Sequence, residues 1–102
     1  MDPKEAAAPL AQLHQKLEAA QGVDAYILFG TIKAICDMAF DWCDKNPEKE
    51  TMYMQEKLGL FFSYCHDAVF PHPESHKTPH EWWSSAGDNL MKVKITDIRD
   101  KP

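Results

Sequence analysis

Apolar positions recur three and four apart along most of this chain, the mark of helices with one face turned inward. Leu10, Leu13, Leu17 and Ala20 form the first such stripe. Pro9 lies just before it, and a proline in a helix interior loses a hydrogen bond and clashes with the preceding turn. The pattern predicts a frayed turn over 3–8 and a better helix over 9–21, stopped at Gly22. A second helix is predicted over 25–45, capped by Asp24, with Val23 packed on Leu28 as a hydrophobic staple. Its polar positions, Lys33, Asp37, Asp41 and Asp44, make one narrow stripe, and nearly everything else is apolar. A helix that is apolar on most sides is expected at the centre of a bundle. A third helix, over 47–70, repeats Met54, Leu58, Phe61, Phe62, Cys65, Ala68 and Val69 at helical spacing. Only Asn46 is left between the two, so they are expected to pair as an antiparallel hairpin.

Three breaks carry a capping residue followed by proline: Asp2-Pro3, Asn46-Pro47 and Thr78-Pro79. A side-chain oxygen at the N-cap and a proline at the first helical position, where the N–H is unpaired anyway, favour helix initiation. Glu5 and Glu81 stand three residues after their caps, the spacing of a capping box. Residues 71–78 form a Pro/His loop. A short fourth helix is predicted from Thr78 through Trp82 and Trp83 to Ala86, ended by the turn signal Gly87-Asp88-Asn89. In the last segment, Met91, Val93 and Ile95 alternate with Lys92, Lys94 and Thr96. Met91, Ile95 and Ile98 also suit a helix, but β-branched residues tip 90–99 toward a strand and 88–102 toward an extended tail. Gly30 and Gly59 fall in mid-helix, where glycine weakens the helix, and are expected to mark a close approach of the second and third helices.

Composition narrows the class. A chain of 102 residues with 44% hydrophobic and 26% charged residues is one small globular domain, 1–102. The net charge is −5, and residues 1–70 hold 11 Asp/Glu against 6 Lys/Arg. Nucleic-acid binders need clustered Lys and Arg to displace counterions, and there is no such cluster, so direct nucleic-acid binding is not expected. The most apolar stretch, 26–43, is interrupted by Lys33, Asp37 and Asp41, which argues against a membrane span. Three cysteines without a C-x-x-C and a start without a signal-peptide pattern point to reduced thiols and a cytoplasmic protein.

Candidate chemistry is sparse. Cys65 with His66, His72, His76 and His80 is the best metal candidate, since zinc takes thiolate and imidazole. Pro73 and Pro79 break the helix that would align the histidines, and no stereotyped zinc spacing is present. Cys65 and His66 as nucleophile and base diverge by about 100° on a helix. Asp37, Asp41 and Asp44 lack the Glu-x-x-His partners of a di-metal site, and a solvated helix face explains them better. The sequence contains no phosphate loop, H-E-x-x-H or G-x-S-x-G.

One feature exceeds what a core needs. Tyr53, Leu60 and Tyr64 share a second side of the third helix, and the adjacent Trp82 and Trp83 must point in different directions. Surplus aromatic area is an interface signal, because tyrosine and tryptophan offer rigid area with a polar tip. The expectation is an all-α bundle that binds another protein, as a regulator, inhibitor or adaptor, without catalysis or cofactor. Tyr53, Leu60, Tyr64, Trp82 and Trp83 are the expected contact residues, with a second copy of the chain among the possible partners. The alternative is a small metal-binding protein using Cys65 and the loop histidines.

Overall fold

A computed structural model describes residues 1–95. The described residues form an all-α bundle of four helices: α1 (Pro3–Ala19), α2 (Val23–Lys45), α3 (Lys49–Val69) and α4 (Pro79–Lys94). α3 is the central helix, with α2 on one side and α4 on the other, and α1 bridges α2 and α4. One core joins Ala6, Leu10 and Leu17 of α1, Ile32 and Cys36 of α2, Leu58, Phe61 and Cys65 of α3, and Ala86, Leu90 and Val93 of α4.

The caps follow local chemistry. Asp2 accepts from the Lys4 N–H and Pro3 opens α1. At α4 the capping box closes in both directions: the Glu81 N–H donates to Thr78 Oγ1 at 3.2 Å, and the Thr78 N–H donates to Glu81 Oε1 at 3.1 Å. Asn46 does not open α3. It caps the end of α2, where its Nδ2 donates to the Trp42 carbonyl at 2.8 Å, and α3 starts after Glu48. Asp24 is likewise no cap. Gly22, at φ 58°, adopts a left-handed turn that suits glycine and leads straight into α2, leaving Asp24 in the first turn where a carboxylate complements the helix dipole. Val23 points into solvent and forms no staple on Leu28.

Three larger expectations are corrected. α1 runs unbroken through Pro9, because Ala6 and Ala7 before it and Leu10, His14 and Leu17 after it are all buried on one face. Tertiary packing on both sides outweighs the hydrogen bond that the proline forgoes. α4 does not stop at Ala86, and no strand follows through residue 95. Ala86, Asn89, Leu90 and Val93 repeat at helical spacing on the buried face, so Gly87-Asp88-Asn89 lies inside the helix. The predicted extended segment beyond 95 lies outside the described residues. Lastly, α2 is not central. It packs on α1 and α3 while α4 occupies the far side of α3, so much of its apolar surface faces outward.

Gly30 and Gly59 do not mark a helix contact either, since a Cβ at either position would have nothing within 4 Å. The close approach is at Gly87, where a Cβ would come within 2.9 Å of His14 Cε1.

Candidate functional site

The five residues singled out for partner contact fall into three settings. Trp83 turns toward α1 and is locked there. Its Nε1–H donates to the His14 carbonyl at 2.6 Å, its own carbonyl accepts from His14 Nε2 at 2.8 Å, and the two rings stack at 4.3 Å, 4° from parallel. His80 stacks on the same indole at 5.5 Å, and Glu18 lies 3.7 Å from the His80 ring nitrogen. Trp82 turns the other way, toward α3. It stacks on Tyr64 at 5.4 Å, donates from Nε1 to Ser75 Oγ at 3.0 Å and carries Lys77 above its ring. Tyr64 also packs against the core. Tyr53, a turn or more away, is exposed with Lys57 over its ring, and Leu60 is half-buried. Tyr64, Trp82 and Trp83 thus direct their rings onto the fold itself.

His14 is the internal residue that periodicity missed. The stripe Leu10, Leu13, Leu17 and the stripe Leu10, His14, Leu17 have the same helical spacing, and only the position of α4 decides between them. Burial holds the His14 pKa below its ordinary value, against the raising effects of the Trp83 carbonyl and Glu18.

The metal candidates are not brought together. Cys65 is fully buried, whereas His66, His72, His76 and His80 lie on the outside. Burial holds the Cys65 thiol well above its ordinary value, with Cys36 beside it acting in the same direction. Burial and neighbouring Asp37 push Cys36 up to about 12. Among the described residues no three His, Cys, Asp or Glu side chains are placed to share an ion. Two of the α2 carboxylates are ion-paired in water, with Lys33 Nζ 2.7 Å from Asp37 and Lys45 Nζ 3.0 Å from Asp41, and Asp44 accepts from Gln55 Nε2 at 3.1 Å.

Two features were not foreseen. A cleft of about 480 Å3 opens at the end of the bundle, between the α1–α2 turn and the start of α4, with Leu17, Ala25, Tyr26, Val69 and Trp83 in its wall. The second is the outer face of α2. Phe29, Ile32, Cys36, Ala39 and Cys43 take the inner face, which leaves Val23, Ile27, Thr31, Ala34 and Met38 along the opposite side at steps of three and four. Val23 is 68%, Ile27 62% and Met38 51% exposed, and Gly30 and Ala34 are exposed between them. Tyr26 continues this surface toward Phe70, on which it stacks at 5.3 Å. In the sequence this surface shows as the unusual apolarity of α2, a pattern that a buried helix shares. No described helix is long and apolar enough to cross a membrane.

Comparison of the chain with protein-family models, with curated proteins and with solved structures finds no match.

Proposed function

We propose that this protein is a small, non-catalytic binding module of the cytoplasm that docks a protein chain on the outer face of α2, in the manner of a regulator, inhibitor or adaptor. The observation that carries this reading is the apolar stripe Val23, Ile27 and Met38, which the fold itself leaves in water. Removing one such side chain from water gains about 1.5–3 kcal/mol when burial is complete. Contiguous exposed apolar surface with a polar rim is typical of protein contact sites. The rim here is formed by the Lys33–Asp37 and Lys45–Asp41 pairs.

The face around Tyr53, Leu60 and Tyr64 is a weaker candidate, because Tyr64 and Trp82 use their rings on each other. The metal reading gains no support from a fully buried Cys65 and dispersed histidines.

The test is affinity capture from the native host with wild type, Ile27→Glu and Met38→Glu in parallel. Both positions are exposed, so circular dichroism and melting temperature should match wild type. Chains recovered by wild type should fall at least about tenfold with either variant, as expected when a charge replaces an interface anchor. Equal recovery by all three proteins would contradict the reading.

A further inference from the structure

The outer face of α2 has a size pattern that complements itself. Val23 and Ile27 are large and lie at its N-terminal end. Met38 and half-buried Trp42 are large and lie at its C-terminal end. Gly30, Thr31 and Ala34 are small and lie between them. A Cβ at Gly30 would meet nothing within 4 Å, so the backbone is open to close approach there.

We propose that the occupant of this face is a second copy of the chain, with α2 packed antiparallel on α2 across a two-fold axis near Ala34. The inference rests on the outer face of α2 being a docking surface. A two-fold reverses the order of the stripe, so the Val23–Ile27 end of one copy lies beside the Met38–Trp42 end of the other. The small residues meet at the crossing, where small side chains let two helices approach closely.

Charge is compatible with this occupant: the chain carries −5, but within 33–45 the pairs Lys33–Asp37 and Lys45–Asp41 leave only Asp44 over, and its carboxylate accepts from Gln55 Nε2 at 3.1 Å. Lys33 and Asp37 straddle Ala34 in sequence, so the two-fold sets each lysine near the other copy's aspartate. The remaining net repulsion is screened over about 8–10 Å at moderate salt, so association should strengthen as salt is raised. A contact of one helix on one helix is smaller than the roughly 800 Å2 per partner of a standard interface. The dimer should therefore be weak and concentration-dependent.

Sedimentation equilibrium of the full chain, from about 10 µM to about 1 mM, tests this range of weak affinities. The expected result is a mass that rises from monomer toward dimer, more steeply at higher salt. Ile27→Glu and Met38→Glu should each weaken the association at least tenfold while the helical spectrum stays unchanged. The native thiols are buried, so Ala34→Cys offers a new accessible sulfur. Under copper phenanthroline it should form a disulfide-linked dimer, whereas Ser63→Cys, on an exposed position of α3, should not. A monomer over the whole range would overturn the inference, and so would a dimer indifferent to both glutamate variants or an Ala34→Cys that does not cross-link. If the chain is monomeric but a different protein is captured by wild type and lost by the variants, the dimer fails and the docking surface stands. If capture is equal for wild type and variants, the docking surface itself fails.

Discussion

His14 ties α1 to α4 through one ring. Its Nε2 faces the Trp83 carbonyl, which can only accept, so Nε2 carries the hydrogen and Nδ1 is bare in the neutral ring. Protonation would place a cation in a buried site, and desolvation accordingly holds the pKa below 6.5. The folded state thus favours neutral His14, and its contribution to stability is full above the unfolded value of about 6.5 and is lost as pH falls through it. The Glu81 carboxyl is shifted down, chiefly by its bonds to Thr78, and its own contribution fades only below its unfolded value of 4.5. The melting temperature should therefore decline between about pH 7 and pH 5.5, and His14→Gln should flatten that slope. Melting curves of both proteins across this range check it, and an equal slope in the variant would contradict the role given to His14. Gly87 belongs to the same contact. Gly87→Ala drives a methyl to 2.9 Å from His14 and should cost about 1–3 kcal/mol, as overpacking does. Gly59→Ala meets nothing within 4 Å and should stabilise by about 0.5–1 kcal/mol through the helix preference of alanine. Urea titrations of the two variants read these opposite signs directly.

At the level of the helix, local signals with a chemical mechanism were legible in the sequence. The Thr78–Glu81 box, the Asp2 cap and the stripe Met54, Leu58, Phe61 and Cys65 all stand where their spacing puts them. What local pattern could not carry was the competition between elements. Pro9 and Gly87-Asp88-Asn89 carry strong breaking signals, and both lie inside helices because buried neighbours on one face hold the backbone helical across them. Asn46-Pro47 has the grammar of a start, yet Asn46 serves the preceding helix. The aromatic surplus on α3 shows the same limit. Tyr64 lies off the main stripe, so sequence alone leaves it as surface, but α4 brings Trp82 over it. Tyr64→Ala should lower stability by about 1–3 kcal/mol, from lost aromatic stacking and burial. Chemical denaturation of the variant measures it, and an unchanged midpoint would return Tyr64 to the surface.

For the whole molecule, the decisive fact is where the most apolar helix went. The bundle measures 42 × 25 × 19 Å, with α2 packed on α1 and α3 and its other side open. Hydrophobic content tells how much surface an element must cover but not whether its own chain covers it. At the centre, α2 would have been core. Beside α3 it is half core and half exposed apolar surface, the face proposed for docking. Methionine oxidation tests this claim most directly, because three methionines on α2 and α3 differ in what covers them. Met38 on α2 and Met52 on α3 are both more than half exposed, and Met54 is fully buried. Oxidative footprinting followed by mass spectrometry compares dilute purified chain with chain in its native host, sulfoxide being the readout. The account predicts that Met38 oxidises readily in the dilute chain and is protected in the host, while Met52 stays reactive and Met54 unreactive in both. Equal oxidation of Met38 in the two settings would mean that nothing covers the outer face of α2, and would contradict the account.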